Sequence, residues 1–164
     1  MQSVDSVLLV VPPEPGTATS VSPDVVVAGL PLLRRIVLAG SRAGFSRVLV
    51  QSERDDAERL LGGTPASMLN GAQPPESRRR IVILPANVVP QARWLRALRD
   101  GEIEPERLHV DGQLTAVLDT DDPAFVLTAA ARCRGVGELL ATLRVRFDEA
   151  KLEVDESGRF PLSE

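Results

Sequence analysis

Lysine is almost missing from this chain. Of 19 basic residues in 164, one is lysine, Lys151, and the rest are arginine. A GC-rich gene accounts for that bias, and any mechanism that needs a lysine before residue 151 is excluded. Histidine is equally scarce: with His109 alone, no pair of imidazoles can hold a metal, and little room is left for a Ser/His/Asp triad. The single cysteine, Cys133, allows neither an internal disulfide nor a cysteine metal cluster. Aromatic residues make up 3%, so the core must be built from Val, Leu, Ile and Ala. No apolar run approaches the roughly 18 residues of a membrane span, and the N-terminal run follows no basic segment, so no signal peptide is expected. The net charge of −4 argues against a nucleic-acid partner, although arginines cluster locally. A soluble, cytoplasmic chain is the expectation.

What is present suits a globular α/β domain. Hydrophobic residues reach 43% and charged residues 26%, and residues 1–164 are the size of one domain. The segment VVVAGLPLLRRIVLAGSRAGFSRVLV (25–50) organises the rest. SVLLVV (6–11) before it reads as a buried first strand, and residues 12–23 as a Pro- and Ser-rich loop at that strand's carboxyl end, where α/β folds bind ligands. Residues 25–28 form a brief strand or an extended approach. Gly29 is a turn residue and Pro31 opens a helix whose apolar stripe runs through Leu32, Leu33, Ile36 and Val37. Gly44 ends that helix and Arg47–Val50 is the second strand, so the unit is βαβ with parallel strands.

The pattern then repeats. Residues 55–61 predict a short amphipathic helix, and 64–79 a surface loop with three prolines. IVIL (81–84) is a third core strand, and 91–99 a helix with Trp94, Leu95 and Leu98 inward. Arg107–Val110 and residues 114–118 flank Asp111-Gly112, a hairpin signal. Pro123 opens a helix over 124–133, and 137–147 is another. Residues 152–154 and 159–162 predict a terminal hairpin or an extended tail over 151–164. The alternation implies an α/β fold with a mostly parallel sheet.

Several groups are candidates for chemistry. Asp119, Asp121 and Asp122 follow a strand, which would put them at the carboxyl edge of the sheet where they could hold a divalent metal; the alternative is a solvated loop in which Asp122 caps the next helix. His109 is either a general base or a half-exposed strand residue. Arg78, Arg79 and Arg80 offer either bidentate phosphate contacts or a solvated flank to the apolar strand. Thr17, Thr19 and Ser20 can contact a ligand or simply build a loop.

VVVAGLPLL (25–33), a helix, and then AGFSRVLV (43–50) resemble the sugar-phosphate and MobA-like nucleotidyltransferases. The likeness is nearest to cytidylyltransferase-like domains fused ahead of CDP-alcohol phosphatidyltransferases. VDESGRFPL (154–162) is similar to the stretch before the membrane enzyme in such fusions. The resemblance implies a three-layer, Rossmann-like nucleotidyltransferase fold. It also implies CTP or a CDP-alcohol as ligand, Mg²⁺ as cofactor, a membrane phosphatidyltransferase as partner, and through it a place at the inner membrane face.

The departures from that family are specific. Its Gly-x-Gly-Ser/Thr-Arg loop cradles phosphates with backbone N–H groups. Here the loop is PPEPGTATS (12–20), with one glycine, no arginine and three prolines that lack N–H groups. Its Pro-Lys pair is matched only by Ser22-Pro23-Asp24. Its metal-binding aspartate would fall at Ala86 or Asn87. What the resemblance leaves for nucleotide contact is Gly16, Thr17, Asp24 and Gly29, with Asn87, Asp119 and Asp121 for metal. The expectation is a degenerate domain that binds, regulates or docks. The alternative is an active cytidylyltransferase acting on CTP and a polyol phosphate.

Overall fold

The computed structural model describes residues 6–11, 26–27, 30–51, 67–69, 79–86, 88–111, 115–152 and 159–161. The predicted helix over 55–61, the loop over 12–23 and most of 64–79 lie outside them.

β1 (Ser6–Val11) is buried along its whole length and lies inside a seven-stranded sheet, two strands from one edge. A strand covered on both faces is a near-continuous apolar run, and SVLLVV is apolar at every position but Ser6. β1 pairs in parallel with β4 (Arg47–Val50) on one side and β6 (Arg79–Pro85) on the other. β5 (Ser67–Met68) pairs in parallel with β4. Beyond β6 lie β9 (Ala116–Thr120), β8 (Arg107–Val110) and β10 (Asp148–Lys151). β9 is antiparallel to both β6 and β8, and β10 is parallel to β8. The order is β10-β8-β9-β6-β1-β4-β5, with β9 alone reversed. Two short pairs lie apart from the sheet: β2 (Val26–Val27) with β3 (Leu30–Pro31), and β7 (Val88–Pro90) with β11 (Arg159–Pro161), both antiparallel.

Strand pleating sorts the core into two layers. Val7, Leu9 and Val11 pack with Val126, Leu139 and Leu143 of α3 (Pro123–Arg132) and α4 (Val136–Arg144). Leu8 and Val10 pack on the other face with Ile36 and Val37 of α1 (Leu32–Ala43) and Trp94 and Leu95 of α2 (Ala92–Asp100). The fold is therefore a three-layer α/β domain with a mostly parallel sheet.

α1 ends at Gly44, whose φ of 92° lies in the left-handed region that glycine tolerates. Trp94 is in the core, as its helical stripe predicts. β8 and β9 pair antiparallel, as the predicted hairpin requires, with His109 opposite Val117. Of the two readings of residues 151–164, a terminal hairpin or an extended tail, the described part is β11, which pairs with β7. One expectation fails. The last helix stops at Arg144, and β10, with the sequence DEAK, adds an edge strand that has no apolar signature.

Gly40 shows how tightly α1 sits on the sheet. A Cβ there would overlap Leu8 Cδ2 and lie 3.4 Å from Val48 Cγ2. Gly40→Ala is expected to destabilise the fold by about 1–2 kcal/mol, because overpacking outweighs the gain in helix propensity. Urea denaturation checks this; a stabilised variant would show that α1 is free to shift.

Candidate functional site

In an open α/β sheet the ligand crevice lies beyond the carboxyl ends of the strands, where the strand order reverses. Here the chain runs outward from β1 to β4 and β5, then returns to β6 on the other side of β1. By that rule the place for a ligand is beyond the ends of β1, β4 and β6. Each end is pinned by one further backbone bond: Gln51 N–H to Val10 O at 2.8 Å, Ala86 N–H to Val11 O at 2.9 Å, and Leu69 N–H to Val50 O at 2.8 Å.

Gln51 is the polar side chain that stands out at this edge, and its position directly after a buried parallel strand is the sequence signal for it. It is 8% exposed. Its Nε2 donates to the Cys133 carbonyl at 3.0 Å, which ties β4 to the end of α3. Its Oε1 is buried with no hydrogen-bond partner. Leaving such an acceptor unmatched costs about 1–3 kcal/mol. Further along the edge, Asp111 Oδ1 accepts from Thr115 N–H at 3.0 Å and closes the β8–β9 turn. Ala86, one of the two positions at which the resemblance would put a metal-binding aspartate, is buried among the α1–α2 core residues; the other, Asn87, lies outside the described residues.

The acidic run lies at the opposite edge. Because β9 is reversed, Asp119 pairs in register with Arg80, and Thr120 with Arg79, at the start of β6. The expectation that these carboxylates sit at the carboxyl edge is thus corrected: a reversed strand delivers its end to the amino edge. Asp119 is occupied there. Its two oxygens accept from Arg80 Nε at 2.5 Å and Nη2 at 3.1 Å. Arg80 Nη1 also donates to the carbonyls of Leu98, Arg99 and Gly101 at 3.0, 3.0 and 2.7 Å. Arg80 is 9% exposed, so it is neither a solvated flank nor open to a phosphate. Asp121 N–H donates to Glu106 Oε1 at 2.8 Å. Asp122 caps α3 by accepting from Phe125 N–H at 3.3 Å, and it pairs with Arg146 at 2.7 Å.

Nearby surface pairs show the same edge to be a structural ion network. Asp100 is held below the usual carboxylate range by its hydrogen bonds from Arg99, and Glu104 likewise by Arg107. Among the described residues no group of three or more His, Cys, Asp or Glu side chains converges as a metal site. His109 is buried, not half-exposed, with Nδ1 3.1 Å from the Arg107 carbonyl. Gly16, Thr17, Asp24, Gly29 and Asn87 lie outside the described residues, as do Thr19, Ser20 and Arg78.

An open cavity of about 450 Å³ runs between α3 and α4. Phe125, Thr128, Arg132, Cys133 and Glu138 line it. The Cys133 thiol donates to Ala130 O at 3.1 Å, and Arg146 stacks over Phe125 at 4.8 Å.

No protein-family model matches the chain, and no curated protein matches it. Solved structures do. A nucleotidyl transferase from Methanothermobacter (Mth528) superposes with a TM-score of 0.60 at 11% identity, over 94% of this chain and 88% of that one. Rv0371c from Mycobacterium tuberculosis H37Rv superposes with a TM-score of 0.63 at 15% identity, over 99% of this chain and 93% of that one. The fold is therefore nucleotidyltransferase-like.

The two carboxylates proposed from sequence for metal binding are expected to differ sharply on removal. Asp119→Ala leaves Arg80 charged and buried, and should cost about 3 kcal/mol. Asp121→Ala is a surface change and should stay within about 0.5 kcal/mol. Urea midpoints measure both. A small loss for Asp119→Ala, together with a Mg²⁺-dependent rise in wild-type melting temperature that this variant lacks, would restore Asp119 as a metal ligand.

Proposed function

We propose that this domain recognises a nucleotide without transferring it, and serves as a binding or docking module for a CDP-alcohol phosphatidyltransferase. The observation that carries the reading is Ala86: at the end of β6, where cytidylyl transfer needs a metal-binding carboxylate, the chain offers a buried methyl group. Phosphoryl transfer depends on cations that neutralise the developing charge. With no lysine before residue 151 and no arginine in residues 12–20, the sequence offers little to supply them near β1. Asn87 keeps a neutral oxygen, a weaker ligand for Mg²⁺ than a carboxylate.

Recognition asks for less. The unmatched Gln51 Oε1 is an acceptor suited to an amino group such as the one cytosine carries. The phosphatidyltransferase link rests on the resemblance of residues 25–50 and 154–162 alone, and it would bring the domain to the inner membrane face.

Incubation with CTP, Mg²⁺ and inositol 1-phosphate is expected to release no pyrophosphate above the blank. Turnover that disappears in Asp121→Ala would establish the opposite reading, an active cytidylyltransferase. Calorimetry with CTP and with a CDP-alcohol is expected to detect binding. Gln51→Leu should weaken it about tenfold, the value of one hydrogen bond in a buried site. Absence of heat with either ligand would reject nucleotide recognition. Co-purification with a membrane phosphatidyltransferase from the same genome tests the docking role.

A further inference from the structure

We infer that the outer face of the α1–α2 layer is a contact surface for an anionic lipid bilayer. This rests on charge segregation, not on the nucleotide reading, and holds whether or not a nucleotide binds. Residues 30–51 and 79–99 contain nine arginines and no acidic residue, in a chain whose net charge is −4; the one acid of α2, Asp100 at its end, is exposed and paired with Arg99. The fold brings these two segments together, since β4 and β6 both flank β1 and α1 packs against α2. Arg80 is buried, but Arg42, Arg93 and Arg96 are exposed on the helices. Arg96 Nη2 donates to the Arg42 carbonyl at 3.3 Å, so the two side chains start from adjoining turns of different helices. Arg35 lies seven residues before Arg42, on the same stripe of α1. Arg34 and Arg93 also make interactions within the chain, and the surface does not depend on their being free of them.

The shape and chemistry favour a bilayer over a nucleic acid. Beside the arginines the exposed positions of α1, α2 and their ends are Ser41, Gly44, Ser46, Gln91, Ala97 and Asp100, with no aromatic ring to stack on a base. Two helices side by side on a sheet present a broad face, whereas a groove reader projects one helix. Arginine gives bidentate contacts to lipid phosphates, and each basic side chain near an anionic surface strengthens binding about fivefold.

Flotation of the full chain with vesicles tests this. It is expected to bind phosphatidylcholine vesicles carrying about 30% phosphatidylglycerol, to ignore pure phosphatidylcholine, and to be released by about 0.5 M salt. Arg42→Gln, Arg93→Gln and Arg96→Gln together should weaken binding on the order of 100-fold. The corresponding triple lysine variant should retain it, which separates charge from folding. Arg132→Gln with Arg144→Gln, in the other helical layer, should also leave it unchanged. Equal binding to neutral vesicles, an unaffected triple glutamine variant, or loss in the lysine variant would overturn the inference. So would a duplex oligonucleotide that still binds at salt that strips the vesicles.

Discussion

The guanidinium of Arg80 holds the parts of this fold in register. It is a buried cation, and a buried cation is tolerable only when each face of it meets an acceptor. Asp119 takes two of its N–H groups, and three carbonyls at the end of α2 share a third nitrogen. The positive charge therefore also meets the negative end of the α2 dipole. One side chain thus fixes β6, the reversed strand β9 and the end of α2. The pattern continues outward: Arg99 donates to the Ala43 carbonyl and Arg96 to that of Arg42, so α2 in turn caps α1. Gly44 belongs to the same chain of contacts, because a Cβ there would overlap the Arg99 guanidinium. Lysine could not replace arginine at Arg80, since an ammonium lacks the planar fork that reaches a carboxylate and a helix end at once. The arginine bias of the sequence is at this position a structural requirement.

That arrangement decides where the acidic residues go. Holding Asp119 against the start of β6 commits its neighbours Asp121 and Asp122 to the amino edge, where they close a turn with Glu106 and cap α3. They cannot serve a crevice at the other end of the strands. The same set of contacts that stabilises the sheet thereby takes carboxylates away from the place where a metal-dependent transfer would use them.

Much of the architecture was legible in the sequence, because central parallel strands and amphipathic helices declare themselves in apolar patterning. SVLLVV, IVIL and the α1 stripe fall where their periodicity puts them. β10 was not legible: an edge strand with one neighbour and exposed side chains needs no apolar residue, and DEAK has only alanine. Leu143 and Phe147 at helical spacing hid the boundary, since Phe147 N–H still bonds Leu143 O at 2.8 Å after the helix has ended. The misplaced aspartates were within reach. Asp111-Gly112 announced a hairpin, and a hairpin partner of a strand parallel to the rest must run backwards. Local reading saw the turn without carrying its direction to the far end of the strand. Arg80 could not be read at all, because in sequence it is one of three adjacent arginines and only the register opposite Asp119 separates it from Arg79.

What remains at the carboxyl edge sets the kind of work it can do. Among the described residues its polar side chains include Gln51, Asp111 and Thr115, and the last two already close a turn on each other. An amide acceptor contributes on the order of 1 kcal/mol to a ligand, enough to choose between bases. Moving a phosphoryl group requires several kcal/mol of charge neutralisation in the transition state, supplied by metal ions and fixed cations. A buried alanine at the end of β6 and a proline-rich sequence after β1 supply neither. On the reading proposed above the fold supplies a frame on which a nucleotide could be recognised; among the described residues one cation lies in the core at Arg80 and others lie on the outer face of α1 and α2.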